Sequence, residues 1–406
     1  MALTPPSLTI GIEEEYLLVD PGTRDLVASP PKEFMQRCKD RLGDQVTHEL
    51  LQAQVEVGTG VCRTAAEARA DLAHLRGTVA EIARDHGMAL IATSTHPFAS
   101  WRDQRRVEHE RYALLAYDMQ TLAERLVICG MHVHAGIDDG NLRIDLMNQA
   151  TYFLPHLLVL STSSPFWQGR DTGLKAYRPT IFGDLPRSGL PEYFDDHDEW
   201  LRLLAVLKET GLCDDPTKIW WDLRPSARHP TLEMRVCDVC TRLEDAITVA
   251  ALYQAILAML YGLRTCNQTW RQYRHVLVNE NKWRAQRWGI NGKLADFGRR
   301  ELKPYTDLLE EILALTREQA ERLGCAAEIA HARDIVARGT SADRQLSIYH
   351  EARLQGADER EALNAVVDWL IAETAVGVAT GPAEPAAAAP DPAPAAHAAH
   401  RGGATT

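Results

Sequence analysis

Positive charge is in short supply: the 406 residues hold 44 Lys and Arg against 56 Asp and Glu, a formal net charge of -12. That balance offers no attraction to a nucleic-acid backbone or an anionic membrane, and a small-molecule partner fits better. Also missing are a GxxxxGK[ST] loop, a GxGxxG dinucleotide unit and a kinase catalytic-loop signature. Any phosphate must therefore be held by metals and cationic side chains. The start, Met1-Ala-Leu-Thr-Pro-Pro-Ser, lacks the basic opening and apolar run of a signal peptide, so the expected location is the cytoplasm. Cysteines number only eight, and Cys237 and Cys240 form the one CxxC with no second pair at zinc-ribbon spacing; reduced, partly buried thiols are expected. The most apolar stretch, Ala246 to Leu263, is interrupted by Thr248 and Gln254 and barely reaches spanning length, which reads as a buried core helix. No repeat of fixed period occurs, which excludes solenoids and propellers.

With 45% hydrophobic residues the chain can bury a large core. Residues Thr9 to Val19 read as a strand closed by the turn signal Asp20-Pro-Gly, with Asp25 to Ala28 as a hairpin partner. Ala68, Leu72, Leu75, Val79 and Ile82 recur at helical spacing within Ala65 to His86, Gly87 supplies the cap, and Met88 to Thr93 follows as a short buried strand. Further helices are expected at Gln104 to Leu126, Leu142 to Ser161, Glu199 to Lys208, Leu243 to Thr265 and Pro304 to Leu323. Further strands are expected at Leu126 to Ala135, Lys218 to Leu223 and Thr231 to Cys237. The class is α+β, with one catalytic domain over residues 1–375 and a disordered Ala/Pro-rich tail over 376–406.

Four segments concentrate chemistry on strands. In Gly11-Ile-Glu13-Glu14-Glu15-Tyr16 the period of two puts Glu13 and Glu15 on one face and Glu14 on the other. Like charges side by side either mark a solvated edge strand or surround a cation. In Gly130-Met-His132-Val-His134 both histidines share a face, either as hydrogen-bonded core residues or as a metal ligand beside a phosphate ligand. Glu233 and Arg235 point the same way from Thr231 to Val236, as a structural ion pair or as a metal and phosphoryl site. Glu49, Gln54 and Glu56 complete the set. Five acids with one or two imidazoles suit Mg²⁺ or Mn²⁺ better than Zn²⁺.

The segments Gly11-Ile-Glu-Glu-Glu-Tyr-Leu-Leu-Val-Asp20, Ser94-Thr-His-Pro-Phe98, Gly130-Met-His-Val-His134, Ala227 to Asp238 and Glu280-Asn-Lys-Trp-Arg-Ala285 together resemble the type 2 glutamate–cysteine ligases of the YbdK kind. These are carboxylate–amine ligases of the glutamine synthetase superfamily. The resemblance implies an antiparallel sheet curved into a half-barrel with helices packed outside. It also implies ATP and Mg²⁺ as cofactors, and an acid and an amine, glutamate and cysteine in the family's name, joined through an acyl phosphate. Carried over by position, Glu13, His132 and Glu233 hold one metal ion, Glu15, Glu49 and Glu56 hold another, and His134 faces the ATP phosphates. Arg235 steadies the transferred phosphoryl group with Glu233 beside it. Arg284 and Arg287, with Arg224 and Arg228, are candidate clamps for phosphate or substrate. A homodimer is expected from the prevalence of two-fold symmetry. The rivals are a metal-dependent hydrolase, which needs more histidine ligands than these, and a non-catalytic nucleotide or amino-acid sensor.

Overall fold

The computed structural model describes residues 5–378; the expected tail lies outside the described residues from 379 onward. One antiparallel sheet organises the molecule. Its strands are β1 (Ile10–Val19), β2 (Val46–His48), β3 (Gln54–Gly58), β4 (Ala89–Ile91), β5 (Met131–Gly136), β6 (Leu223–Pro225) and β7 (Thr231–Met234). Their order is β6-β7-β5-β1-β3-β2, with β4 pairing the far end of β1, and the sheet stays open. Every pairing in it is antiparallel.

The helices used below are α1 (Lys32–Leu42), α2 (Ala65–Asp85), α3 (Glu110–Met119), α4 (Arg178–Phe182), α5 (Leu243–Thr265), α6 (His275–Trp288), α7 (Tyr305–Leu323) and α8 (Glu359–Thr374). Helix α2 starts where expected: the Thr64 hydroxyl accepts from the Glu67 amide at 3.1 Å while the Glu67 carboxylate accepts from the Arg63 amide at 2.7 Å. It ends on Gly87, whose φ of +70° only glycine adopts cheaply. Leu72, Leu75, Val79 and Ile82 are buried, each worth roughly 1.5–3 kcal/mol relative to exposure.

Helix α5 is long and apolar enough to cross a membrane by length and composition, yet 78% of its apolar window is buried within the molecule. It packs behind the sheet against β1, β5, α2 and α7. The two polar interruptions have partners: Thr248 donates to the carbonyls of Glu244 and Glu328, both at 2.9 Å, and Gln254 donates to the Leu8 carbonyl at 2.7 Å. Tyr253 from the same helix donates to the Leu232 carbonyl at 3.2 Å, tying α5 to β7.

Strand β1 faces two environments. Ile10, Ile12, Glu14 and Tyr16 are buried on the back, while Gly11, Glu13 and Glu15 face the front. Glu14 survives in the core because α2 brings Arg76, itself fully buried, against it: Nη2 donates to both carboxylate oxygens at 2.8 and 2.7 Å and Nε to one at 3.2 Å. Tyr16 also donates to this carboxylate, and Arg76 continues to the carbonyls of Thr241 and Cys240 at 2.8 and 3.1 Å. Burial pushes the Tyr16 phenol well up, with the Glu14 charge adding to it.

Several expected elements are shorter or broken. The helix expected over Gln104 to Leu126 starts only at Glu110 and stops where Gln120 takes φ +49°. That over Leu142 to Ser161 splits at the 3₁₀ turn Thr151–Phe153, and Pro155 sits in the first turn of the second piece, where its missing N–H costs nothing. The strand over Lys218 to Leu223 is interrupted after Trp221. Ahead of Met131 only isolated bridges hold residues 128 and 130. Helices α1, α4, α6 and α8 had no counterpart among the expected elements.

Candidate active site

Hydrogen-bond register lays the candidate residues in a row across the front of the sheet. Glu15 of β1 pairs with Glu56 of β3. Glu13 of β1 pairs with His132 of β5. His134 of β5 pairs with Glu233 of β7, and Glu233 pairs with Arg224 of β6. All of them line a cleft of about 330 Å³.

Two groups of donor atoms converge. Glu13, His134 and Glu233 each present a ligand atom within 4.8 Å of the others, and Glu15, Glu49 and Glu56 do the same. This places His134 where the resemblance puts His132. His132 is one step away: its Nδ1 lies 3.1 Å from Glu13 Oε2 and 3.4 Å from Arg235 Nη1, while its Nε2 is buried without a partner. His134 Nε2 lies 3.2 Å from Glu13 Oε1, and its Nδ1 lies 2.9 Å from the Thr231 hydroxyl.

Glu233 is the most heavily bonded of the acids. Arg224 grips it with Nε at 2.9 Å and Nη2 at 3.0 Å, Arg235 donates to it as well, and Arg224 is itself fixed by the Thr217 carbonyl at 2.9 Å.

The electrostatics differ between the two groups. Burial raises the Glu13 carboxyl, but hydrogen bonds from His132 and His134 overcome it and hold the group well below the usual carboxylate range. At Glu233, burial is likewise overridden by the charges of Arg235 and Arg224. At the other end burial and the Glu49 charge push Glu15 up to about 8, and the same two causes push Glu56 well up. His132 is driven down to about 4 by burial and the Arg235 charge, so it is neutral near pH 7.

Crowded against Glu49, the Glu15 and Glu56 carboxyls are pushed toward their protonated forms; a divalent cation among the three would favour the charged forms instead. Together the two groups contain five carboxylates and one imidazole, a hard, oxygen-rich donor set that fits Mg²⁺ or Mn²⁺. Among the described residues no group carries the several histidines of a zinc hydrolase.

Arg228 lines the cleft as expected, but Arg284 and Arg287 do not. Both sit on α6 against the Trp288 ring, with Arg284 also 3.4 Å from Glu280 and 3.3 Å from the Lys293 carbonyl, and Arg287 donating to the Gly173 carbonyl. They are candidates by sequence because they lie in and just after the Glu280 to Ala285 segment that carries the resemblance, but α6 turns that face away from the cleft. Conversely Arg178, Trp220 and His229 line the cleft without having been singled out. Arg178 precedes a proline at the start of the short helix α4, in a stretch with no periodic apolar pattern, so neither spacing nor charge clustering marked it. The Cys237 and Cys240 thiols are buried and unbridged, and burial pushes Cys237 up to about 12.

The model of glutamate–cysteine ligase family 2 matches residues 9–368. The chain belongs to that family. A Rhodospirillum rubrum protein named "Putative glutamate–cysteine ligase 2" is 56% identical over 373 residues, 91% of this chain and 96% of that protein. A Jannaschia protein of the same name is 52% identical over 363 residues, 89% and 96%. The fold is shared with the Francisella tularensis glutamate–cysteine ligase solved in complex with AMP, at TM-score 0.65 and 13% identity, covering 91% of this chain and 93% of that one. It is shared too with a bifunctional glutathione synthetase from Pasteurella multocida, at TM-score 0.65 and 15% identity. There the match covers 90% of this chain but spans only about half, 52%, of the longer one. This family member is an ATP-dependent carboxylate–amine ligase that forms a C–N bond.

Proposed function

We propose that the ligase activates the side-chain carboxylate of L-glutamate as an acyl phosphate and passes it to the amine of L-cysteine, with Mg²⁺ or Mn²⁺ bound in the cleft. The observation that carries this reading is the row of paired residues: two metal-capable donor groups on neighbouring strands, flanked by Arg224 and Arg235. Glu13, His134 and Glu233 would hold one ion, and Glu15, Glu49 and Glu56 a second. When bound, such ions neutralise charge on the phosphate oxygens and polarise the γ-phosphoryl group.

Arg235 is partly buried, with 11% of its side chain exposed, and already charge-paired, so its guanidinium is pre-aimed and needs little reorganisation as charge moves onto the transferred phosphoryl. Arg224 fixes the orientation of Glu233 through two parallel bonds. His132, neutral, bonds to Glu13 and sets the direction of that carboxylate. The substrate carboxylate oxygen attacks phosphorus and ADP leaves. The amine then attacks the activated carbonyl, and phosphate departs with the carbonyl–oxygen bond. No side-chain nucleophile is required, and positioning with electrostatics supplies the rate. The same reading takes residues 1–375 as one catalytic unit, working as a homodimer in the cytoplasm.

The test is ADP release from ATP and Mg²⁺ with glutamate, with cysteine, and with both, followed by a panel of other acids and amines. Release that needs an acid and an amine together supports the reading. Absence of release with every pair would overturn it.

A further inference from the structure

Helix α6 turns two arginines away from the cleft, yet its opposite face is unusual for a buried one. Val278, Asn281, Lys282, Ala285 and Gln286 are all buried there, and three of the five are polar. Each polar member has a partner. Asn281 closes a reciprocal pair with Ala295, donating to its carbonyl at 2.9 Å and accepting from its amide at 2.7 Å. The Gln286 side chain accepts from the Thr180 hydroxyl at 3.3 Å, and the Gln286 carbonyl accepts from the amides of Lys175 and Ala176 at 2.6 and 3.2 Å. Between these anchors stands Lys282, 8% exposed, whose ammonium donates to the Asp222 carboxylate at 2.5 Å. Asp222 is equally buried and makes no other ion pair among the described residues. Such a pair is weak as a source of stability, because both ions must be desolvated; what it does supply is a fixed position.

That position matters to the cleft through the backbone. Asp222 immediately precedes β6, and its carbonyl accepts from the Arg235 amide at 2.8 Å. The ladder between β6 and β7 ends one pair earlier, at Leu223 with Met234. Arg235 therefore stands just past the last rung, its amide held by Asp222 and its carbonyl accepting from Arg178 Nη1 at 3.2 Å. Its guanidinium is tied to the cleft alone: Nη1 donates to Glu233 and lies 3.4 Å from His132 Nδ1, while Nε is buried with no hydrogen-bond partner. Arg224 differs. It lies inside the ladder opposite Glu233, and its Nη1 donates to the carbonyls of Thr217 and Ile219.

A fixed positive charge stabilises a transition state only if it is already in place, and a shift of about 1 Å can cost roughly 100-fold in rate. We propose that Lys282 is a positioning residue for phosphoryl transfer: by pinning Asp222 to α6, it fixes where the Arg235 guanidinium stands. The inference rests on the role given to Arg235 above.

The experiment measures kcat and KM for ATP, L-glutamate and L-cysteine, or for whichever acid and amine the panel above shows to be turned over, below the unfolding midpoint of every variant. Lys282→Met alone leaves the Asp222 charge buried and unpaired, a fold defect in itself, so the decisive variant is the neutral pair Asp222→Asn with Lys282→Met. It should fold and lower kcat by about 10- to 100-fold, with each KM within about threefold of wild type. In an Arg235→Lys background, already slow, the neutral pair should cost less than about a further threefold, because the residue it acts through is gone. A folded neutral pair with wild-type kcat would overturn the proposal. So would an equal loss in both backgrounds, which is what a defect unrelated to Arg235 gives, or failure of the neutral pair to fold, which would assign the two residues to the core. Arg235→Lys turning over at the wild-type rate, or wild-type enzyme inert toward every acid and amine, would instead remove the reading beneath it.

Discussion

Replacing Arg76 with methionine should destabilise the protein by about 3–5 kcal/mol, although Arg76 is outside the cleft. The substitution removes three donor contacts to the Glu14 carboxylate, at 2.7, 2.8 and 3.2 Å, and leaves that fully buried charge with the Tyr16 hydroxyl alone. It also strips donors from the buried carbonyls of Thr241 and Cys240. Removing both charges is different: in Glu14→Leu combined with Arg76→Met no ion remains to desolvate, and the cost should fall to about 2 kcal/mol. Urea denaturation followed by tryptophan fluorescence gives the midpoint and slope for the four proteins of the cycle, and the coupling should exceed about 2 kcal/mol. The single variants should also lose ADP formation before they lose secondary structure, because Glu13 and Glu15 flank Glu14 on the same strand. An Arg76→Met protein within 1 kcal/mol of wild type, or costs that simply add, would refute this account of how β1 is seated.

Glu13→Gln and Arg235→Ala should each lower kcat by about 10²-fold or more with the fold intact by circular dichroism, and near-normal turnover in either would remove that residue from the site. Stripping divalent ions with EDTA should abolish ADP formation, and Mg²⁺ or Mn²⁺ should restore it; restoration by Zn²⁺ alone would contradict the donor chemistry. A pH effect is expected from Asp238. Burial pushes its carboxyl up to about 6, with Ser163 and Ser164 donating to one oxygen at 2.9 and 2.7 Å and the other oxygen unpartnered. Because the folded state holds this proton more tightly than the unfolded chain, stability falls as pH rises from about 4 to about 6 and is level above that. Wild type should lose about 3 kcal/mol over that window relative to Asp238→Asn, and parallel stability curves for the two would show that Asp238 is not the cause.

What the sequence reveals follows the reach of each signal. The alternation in Gly11 to Tyr16 assigns Glu13 and Glu15 to one face and Glu14 to the other, because a strand period of two leaves no other arrangement. The spacing of Leu72, Leu75, Val79 and Ile82 marks α2 for the same local reason. Register is not local: nothing in residues 130–136 says that His134, and not His132, stands beside Glu233, since that depends on how β5 and β7 are offset. Arg178 is hidden more deeply still, because its hydrogen-bond partners are the carbonyls of Arg235 and Cys237 and it sits against the bare side of Gly130, neither of which leaves a pattern. Arg284 and Arg287 show the opposite error: the segment that carries the resemblance brings them forward, and the orientation of α6 turns them away from the cleft.

The row across the sheet also sets an order of construction during synthesis. Glu15, Glu49 and Glu56 emerge within the first sixty residues, but Glu13 must meet His132 and His134 must meet Glu233, partners 119 residues and 99 positions along the chain. At ribosomal speeds of about 5–20 residues per second, the acid trio exists as peptide for roughly 10–40 s before the arginines that complete the cleft leave the exit tunnel. Closing those long loops carries an entropic cost that the short β1 to β3 pairing does not. The nascent chain therefore has a cluster of acids long before it has a complete cleft, and the row is finished only when β7 pairs with β5.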